Sequence, residues 1–323
     1  MPKIFITRKI PERGINKLRE KGYEIVINPE DKILSKDELI DSLKDKNYDA
    51  VLCLLTDKID KDVIEAAGTQ IKIFANMAVG FDNIDIKSAK EKKIMITNTP
   101  EVLTESVAEH TIALMLAISR RIVEADKFTR QGNYQGWAPM LMLGNDIAEK
   151  TIGIVGLGRI GERVAEILAK GYKAKIIYHD IRRNESFEKE IGAQYKENLE
   201  DLLKEANYVT LHIPLLPATH HLINEEKLKI MKPTSYLINT SRGPIINEQA
   251  LVRALKEGWI RSAALDVFEN EPNLTPGLAE LDNVILTPHI ASATEKTRAK
   301  MSELAAENII AALEGKTPPN LIS

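Results

Sequence analysis

The fold of this chain is decided by residues 151–180, which have the sequence TIGIVGLGRIGERVAEILAKGYKAKIIYHD. Residues 151–155 and 175–179 are apolar runs that predict strands, and the apolar positions between them repeat with helical spacing. Gly156, Gly158 and Gly161 follow the first strand with the spacing G-x-G-x-x-G. There, the first glycine allows a tight turn, the second lets a pyrophosphate approach the backbone, and the third lets helix and strand pack closely. We therefore predict a dinucleotide site at the N-terminus of this helix, whose free N–H groups favour phosphate.

An acidic residue ends the second of these strands. Asp180 lies 19 residues after Gly161, where a carboxylate can accept hydrogen bonds from ribose hydroxyls and would repel a 2′-phosphate. This favours NAD, used as NADH in reduction, over NADP. Arg182 and Arg183 keep NADP open as an alternative, because a nearby arginine can hold that phosphate.

The composition places the chain among ordinary globular proteins. It has 323 residues, 44% hydrophobic and 28% charged, with a net charge of −3, which suggests about two domains. The near-neutral balance argues against a nucleic-acid surface as the main function. No apolar run approaches the ~20 residues of a membrane span, and the first residues lack the apolar stretch of a signal peptide. Cys53, the single cysteine, lies in an apolar run and is predicted to be a buried thiol, so we expect a cytoplasmic protein without membrane or nucleic-acid partners.

Short apolar strands alternate with amphipathic helical stretches along the chain, which predicts parallel sheets covered by helices on both faces. The predicted strands are 4–7, 24–27, 50–55, 71–74, 94–97, 151–155, 175–179, 207–213, 235–239, 261–265 and 283–286. Ser35 and Glu38 have the spacing of a capping box. Residues 101–130 are predicted to form one long helix, and residues 295–313 the last helix.

Three predicted strands of the second half run into polar segments. Arg242 follows the strand at 235–239, Glu269 and Glu271 follow 261–265, and His289 follows 283–286. Ligands bind outside the carboxyl ends of strands in open α/β sheets, so these side chains are expected to converge. Reduction of a 2-oxo acid needs a hydride from a nicotinamide, a proton that histidine can hold near neutral pH, and a cation for the carboxylate, which arginine supplies. A carboxylate beside the histidine would favour its protonated form.

At these residues the chain resembles the D-isomer-specific 2-hydroxyacid dehydrogenases, and the resemblance covers almost its whole length. The motifs that match are Gly156 to Gly161, Ser241-Arg242-Gly243, Asp266-Val267-Phe268, Glu271-Pro272 and Thr287-Pro288-His289. The resemblance implies that Arg242 binds and polarises the substrate and that His289 is the acid/base. It also implies that Glu271 rather than Glu269 acts on His289, because the family's catalytic glutamate directly precedes proline.

The same resemblance assigns further residues to the two ligands. The substrate carboxylate is expected to meet backbone N–H groups in a loop of small residues, with Arg242, His289 and Trp137 completing a substrate set that begins with Met77, Ala78, Val79 and Gly80. The expected cofactor-binding residues are Gly156, Leu157, Gly158, Arg159, Ile160, Gly161, Asp180, Ile181, Arg182, His212, Ile213, Pro214, Thr240, Ser241, Arg242, Asp266, His289 and Ala291. No metal is expected, because Arg242 and His289 supply the electrophilic assistance and no Cys/His cluster has zinc spacing.

Within the family, the chain is most similar to the glyoxylate/hydroxypyruvate reductases, through residues 76–85, 136–144 and 313–321. In that group a tryptophan at the Trp137 position reaches across a dimer contact, which implies a homodimer through residues 101–143; plain interface packing of this tryptophan stays open. The expected reaction is NAD(P)H-dependent reduction of glyoxylate to glycolate and of hydroxypyruvate to D-glycerate. The alternatives are a D-3-phosphoglycerate or D-lactate dehydrogenase, a non-catalytic NAD-sensing scaffold or corepressor on the same fold, and a purely structural protein.

The predicted fold class is α/β with two Rossmann-like lobes and an active-site cleft between them. A flavodoxin-like substrate lobe comprises residues 1–99 and is completed by 289–323, and the NAD-binding Rossmann lobe comprises residues 100–288. We expect closure of the lobes to exclude water before hydride transfer.

Overall fold

The computed structural model describes residues 1–322, which form two compact units. Unit 1 contains Met1–Leu103 and the described residues from Ala293 onward, and unit 2 is Thr104–Ser292. The sequence predicts the two domain boundaries after residues 99 and 288, and in the structure each boundary lies four residues later, after Leu103 and Ser292. The second difference has a local cause, because a buried aspartate of unit 2, Asp266, accepts hydrogen bonds from the backbone N–H groups of Ile290 and Ala291.

Twelve strands and twelve α-helices are present in the described part of the chain. The strands are β1 Lys3–Ile6, β2 Glu24–Ile27, β3 Ala50–Cys53, β4 Ile73–Asn76, β5 Met95–Thr97, β6 Thr151–Val155, β7 Lys175–His179, β8 Gln194–Tyr195, β9 Tyr208–Leu211, β10 Tyr236–Asn239, β11 Ser262–Leu265 and β12 Val284–Leu286. The helices are α1 Glu12–Glu20, α2 Lys36–Leu43, α3 Lys61–Ala66, α4 Ile86–Glu91, α5 Thr104–Ser119, α6 Ile122–Arg130, α7 Arg159–Tyr172, α8 Glu185–Ile191, α9 Leu199–Glu205, α10 Glu225–Ile230, α11 Glu248–Glu257 and α12 Glu295–Leu313.

Unit 1 is built on a five-stranded parallel sheet with the order β2-β1-β3-β4-β5. This is the flavodoxin-like strand order of doubly wound folds. Every residue of β3 and β4 is buried, as expected for central strands covered on both faces. Cys53 ends β3 and is completely buried, so the prediction of a buried thiol is confirmed.

Unit 2 is built on a seven-stranded parallel sheet with the order β12-β11-β10-β9-β6-β7-β8. The direction of winding changes between β6 and β9, and this switch point is where open α/β sheets bind their ligands. Because all pairs are parallel, the carboxyl ends of β6, β9, β10, β11 and β12 lie along the same edge of the sheet. The predicted class, α/β with two Rossmann-like parallel-sheet domains, is confirmed.

The prediction of one long helix at 101–130 is wrong. The chain forms α5 and α6 instead, with Arg121 between them in the left-handed conformation at φ 55°. A later segment of the chain ends α5 by taking its last carbonyl: the backbone N–H of Asn145 donates to the Ser119 carbonyl at 2.9 Å. Gly144 packs against the same oxygen, which would lie 2.3 Å from a Cβ on Gly144. No residue of α6 is buried, so α6 has no core to hold it in line with α5.

Most other predicted elements agree with the structure, including the capping box of Ser35 and Glu38 at the start of α2. The strand predicted at 71–74 is shifted to Ile73–Asn76, because its pairing follows β3, with Ala50 beside Ile73 and Cys53 beside Asn76. The two-residue strand β8 was not predicted. No helix within residues 1–322 is both long and apolar enough to cross a membrane.

Candidate active site

The turn after β6 accepts only glycine at two positions. Gly156 has φ 93°, and a Cβ there would lie 2.6 Å from the carbonyl oxygen of His212. A Cβ on Gly161 would lie 2.1 Å from the Gly156 carbonyl oxygen, so α7 could not approach β6 with a larger residue. A Cβ on Gly158 would meet no protein atom within 4 Å. No side chain caps the start of α7, so the turn offers open backbone N–H groups that fit a dinucleotide phosphate.

Asp180, at the carboxyl end of β7, supports this turn. Its Oδ2 accepts the Leu157 N–H at 2.7 Å, and its Oδ1 accepts the Arg182 N–H at 3.1 Å. The carboxylate is partly exposed and keeps further lone pairs for ribose hydroxyls. Arg183 is bound at 2.8 Å through two nitrogens to Glu188. Its guanidinium is therefore already engaged in an ion pair.

The other predicted cofactor residues of this edge follow β9 and β10. Burial of the His212 ring lowers its pKa to about 3, and its Nε2 lies 3.0 Å from the Thr210 hydroxyl. His212 is therefore neutral in the physiological range. Thr240 is buried, and its hydroxyl lies 2.9 Å from the Thr111 hydroxyl. Other predicted contacts are exposed, among them Gly158, Arg159, Ile181, Arg182 and Pro214.

The turn that presents Arg242 is shaped by a buried asparagine. Asn239 accepts hydrogen bonds from the N–H and hydroxyl of Ser241 at 3.0 and 2.9 Å, and its amide donates to the Arg242 carbonyl at 2.9 Å. Gly243 then packs on the next loop, where a Cβ would lie 1.9 Å from the Phe268 carbonyl carbon. This close approach brings the Arg242 turn against the segment that contains Glu271.

His289 and Glu271 form a direct pair. The Nδ1 of His289 lies 3.0 Å from Oε2 of Glu271, whose Oε1 accepts the Phe268 N–H at 3.0 Å. Burial raises the pKa of Glu271, but the His289 hydrogen bond and charge, the Phe268 N–H and the Arg242 charge outweigh burial and hold it below its usual range. No hydrogen bond to the described residues occupies Nε2 of His289, and the side chain is 30% exposed.

Asp266, predicted to contact the cofactor, accepts hydrogen bonds from three neighbouring protein groups in this structure. Its carboxylate is completely buried. It accepts the Thr287 hydroxyl at 2.6 Å and the N–H groups of Ile290 and Ala291 at 2.9 and 2.8 Å. His110 lies 3.3 Å from the same carboxylate. Asp266 therefore fixes the loop in which His289 adopts φ 54°, and its contact with the cofactor stays a prediction.

A second histidine–glutamate pair lies beside the first. Nε2 of His221 is 2.6 Å from Oε1 of Glu269. Glu269 accepts the backbone N–H of the buried Glu248 at 3.0 Å, and Glu248 accepts that of Glu269 at 2.8 Å. Burial raises the pKa of Glu248, despite the hydrogen bond from Thr275, and the neighbouring charges of Glu269 and Glu271 act in the same direction. This network was not predicted from the sequence.

The predicted carboxylate loop belongs to unit 1. Met77 and Ala78 are buried, whereas Val79 and Gly80 are partly exposed at the carboxyl end of β4. Trp137, the other predicted substrate residue, belongs to unit 2 and is 83% exposed. Among residues 1–322, no group of three or more His, Cys, Asp or Glu side chains is placed to hold a metal ion.

The glycine turn and the residues at the sheet edge define unit 2 as a nicotinamide-dinucleotide-binding domain of the dehydrogenase class. Comparisons with known proteins identify the family. Residues 112–291 match the model of the D-isomer specific 2-hydroxyacid dehydrogenase, NAD binding domain. The chain is 49% identical to the glyoxylate reductase of Korarchaeum cryptofilum, covering 100% of this chain and 96% of that protein. It is likewise 49% identical to the glyoxylate reductase of Thermococcus litoralis, covering 100% and 97%.

A solved structure gives the same result. The NADPH-dependent glyoxylate/hydroxypyruvate reductase of Sinorhizobium meliloti, in complex with NADP and malonate, superposes with a TM-score of 0.86 at 32% identity, covering 100% of this chain and 97% of that one. The chain therefore belongs to the D-isomer-specific 2-hydroxyacid dehydrogenase family. It is an oxidoreductase that uses a nicotinamide dinucleotide.

Proposed function

We propose that this protein is a glyoxylate reductase that also reduces hydroxypyruvate, giving glycolate and D-glycerate. The observation that carries the proposal is the His289–Glu271 pair, with the charge of Arg242 acting on the same glutamate, at the carboxyl edge of a dinucleotide-binding sheet. The relatives named glyoxylate reductase at 49% identity over the full chain support the choice of substrate. Nothing in the comparisons supports a non-catalytic scaffold.

The cofactor fits the turn after β6. Gly156, Gly158 and Gly161 leave room for a pyrophosphate against the N-terminus of α7, and Asp180 would accept hydrogen bonds from the ribose. When bound, the reduced nicotinamide supplies the hydride that reduces the substrate carbonyl. Unit 2, in this proposal, is the cofactor-binding domain, and unit 1 is the substrate-binding domain.

The remaining chemistry is assigned to three side chains of unit 2. Arg242 binds the substrate through its planar guanidinium and polarises the carbonyl. His289 gives a proton to the carbonyl oxygen as that oxygen becomes an alcohol. Glu271 stays ionised because its pKa is held low, so it orients the ring through Nδ1 and stabilises the protonated imidazole that the reduction consumes.

We further propose that NADH is preferred to NADPH. Asp180 would repel a 2′-phosphate, and Arg183 is already bound to Glu188. Arg182 is the exposed side chain through which NADPH could still be accepted. The relative from Sinorhizobium meliloti is NADPH-dependent, so both cofactors belong in the test below.

A homodimer through residues 101–143 is part of the same proposal. The supporting observation is a set of exposed apolar side chains concentrated between α6 and the end of that segment, namely Ile122, Val123, Tyr134, Trp137, Met140, Leu141 and Leu143. A concentration of this kind is typical of a protein interface. A cytoplasmic location is also proposed, and the buried Cys53 without a partner suits a reducing compartment.

The test is a steady-state assay of nicotinamide oxidation with glyoxylate, hydroxypyruvate, pyruvate and phosphohydroxypyruvate, each with NADH and with NADPH. We expect glyoxylate and hydroxypyruvate to give the highest kcat/KM, with NADH the better cofactor because of Asp180. Preference for phosphohydroxypyruvate or pyruvate would favour the phosphoglycerate or D-lactate dehydrogenase alternatives. Binding of NADH in calorimetry without turnover of any acid would contradict the enzymatic proposal.

A further inference from the structure

We propose that Asn98 is a positioning residue for the substrate carboxylate: its side-chain amide aims the backbone N–H of Gly80 at the acid. The inference rests on the proposed function, since it names a residue that prepares unit 1 to bind a 2-oxo acid. Asn98 lies directly after β5, outside the motifs that the sequence assigned to either ligand.

Three successive carbonyl oxygens of the loop after β4 are each held by a different donor. The Ala78 oxygen accepts the backbone N–H of Thr99 at 2.8 Å. The Val79 oxygen accepts the side-chain amide of Asn98 at 2.8 Å, and the Gly80 oxygen accepts that of Asn76 at 2.9 Å. Two of the three donors are thus asparagine side chains, which have no other function in the proposed reaction.

Fixing a carbonyl also fixes the next N–H. In a planar trans peptide the C=O and the following N–H point in opposite directions. The bond from Thr99 to the Ala78 oxygen therefore directs the Val79 N–H away from β5, and the bond from Asn98 to the Val79 oxygen directs the Gly80 N–H the same way. Neither N–H donates a hydrogen bond to any described residue, and both residues are partly exposed.

Two adjacent N–H groups without an acceptor in the described part of the protein, on partly exposed residues, form a ready anion site. No charged side chain is needed for this part of the recognition. The hydrogen bonds to the Ala78 and Val79 carbonyls restrain the peptide planes that carry these donors. A substrate carboxylate would complete two hydrogen bonds that the fold leaves unmade, and hydrogen bonds to a charged acceptor are the stronger kind.

Asn98 is itself held from a distant part of unit 1. Its carbonyl accepts the side-chain amide of Asn308 in α12 at 3.2 Å. The side-chain oxygen of Asn308 accepts the Asn320 N–H at 3.1 Å. The Asn320 carbonyl in turn accepts the Asn98 N–H at 3.4 Å. The side chain of Asn98 is thus attached to a fixed backbone and can act as a rigid support rather than a flexible surface group.

The experiment compares Asn98→Ala with Asn28→Ala in the full-length protein with NADH. Asn28 is the matched control, because its side-chain amide also donates to a backbone carbonyl of unit 1, that of Thr7 at 3.1 Å. For Asn98→Ala we expect the KM for glyoxylate and the inhibition constant of oxamate to rise together by about tenfold. The kcat and the NADH dissociation constant should stay within about twofold, and Asn28→Ala should change none of these values.

A purely structural role for Asn98 would lower kcat and thermal stability without a selective effect on anion binding, and unchanged KM and inhibition constants would overturn the proposal. If Asn98→Ala does not fold, Asn98→Ser, which keeps a shorter donor, takes its place with a smaller increase expected.

Amide NMR separates this inference from the proposed function. Titration of the wild-type NADH complex with each acid of the substrate panel should shift the Val79 and Gly80 amide signals, with the Gly80 shift weakened in the Asn98 variant. Amide shifts with another 2-oxo acid but not glyoxylate would contradict only the proposed substrate. No shift at Val79 and Gly80 with an acid that the enzyme reduces would contradict only the role of Asn98.

Discussion

Two histidine–glutamate pairs lie side by side in unit 2, and in each a ring nitrogen directly contacts a carboxylate oxygen. Nδ1 of His289 is 3.0 Å from Glu271, and Nε2 of His221 is 2.6 Å from Glu269. The histidine side chains are 30% and 31% exposed, and the second oxygen of each glutamate accepts a backbone N–H. A histidine beside a carboxylate is therefore not sufficient to identify an acid/base site.

The surroundings of the pairs differ. Glu269 exchanges backbone hydrogen bonds with the buried Glu248, and the His221 ring packs on His220 with centroids 4.0 Å apart. Glu271 instead experiences the positive charge of Arg242. The pair at Glu269 links one loop to α11, whereas the pair at Glu271 lies beside a cation that can bind a substrate. We propose that this neighbouring cation makes the first pair catalytic, and three variants test the distinction.

The largest effect is expected for His289→Ala. Loss of a general acid typically costs about 10²–10⁴-fold, so kcat for glyoxylate reduction should fall by that factor. The NADH dissociation constant, measured by calorimetry, should not change, because the glycine turn and Asp180 remain. Near wild-type turnover in this variant would show that His289 is not the proton donor.

A smaller, pH-dependent effect is expected for Glu271→Gln. The low pKa of Glu271 keeps the carboxylate charged even below its usual value of 4.5, so in the wild type it favours the protonated imidazole at every working pH. Reduction consumes that proton. Without the charge, the loss of kcat/KM with rising pH should begin about one pH unit lower, and the variant should be most impaired at alkaline pH.

The same lowered pKa has a consequence for stability. A carboxyl group whose pKa is lower in the folded state stabilises the fold above its unfolded pKa, and this contribution is lost as the pH falls through the folded value. Acid unfolding of Glu271→Gln should therefore lack this component. If the alkaline decrease of kcat/KM in Glu271→Gln occurred at the same pH as in the wild type, the proposed role of the charge would be contradicted.

The smallest effect on turnover is expected for His221→Ala, which removes the other pair. Glu269 keeps its bond from Glu248, so kcat should change by less than about threefold, while the free energy of unfolding should fall by about 1 kcal/mol from the lost hydrogen bond. Denaturant titration and steady-state kinetics measure the two quantities. A loss of turnover comparable to that of His289→Ala would remove the distinction between the pairs.

Local patterns were enough to predict most of the fold. The strands at 151–155 and 175–179 have the predicted bounds because a glycine turn and a helix separate them. The shift of β4 to Ile73–Asn76 was not predictable, since its register is set by β3, more than 20 residues away. The break at Arg121 was missed because periodicity alone does not show that α6 lacks a core to pack on.

In the candidate site, too, local motifs were predictable from the sequence and long-range contacts were not. Arg242, Glu271 and His289 were found because each lies in a distinctive motif a few residues after the end of a strand; their catalytic roles stay predictions. The supporting contacts of the site left no such signal, although Asp266 itself lies in a recognised motif. Asp266 holds a backbone N–H 25 residues away and Asn98 a carbonyl 19 residues away. A bond from a side chain to a distant peptide group can be made to any residue type, so the partner cannot be identified from its sequence.

Cys53 gives unit 1 a natural reporter of its own opening. It is the single cysteine of the chain and is completely buried at the end of β3, and burial raises its thiol pKa. A thiol reagent can therefore react only when the central sheet of unit 1 opens. The rate of alkylation would record local unfolding of that unit, whereas unit 2 contains no thiol and would be silent in the same measurement.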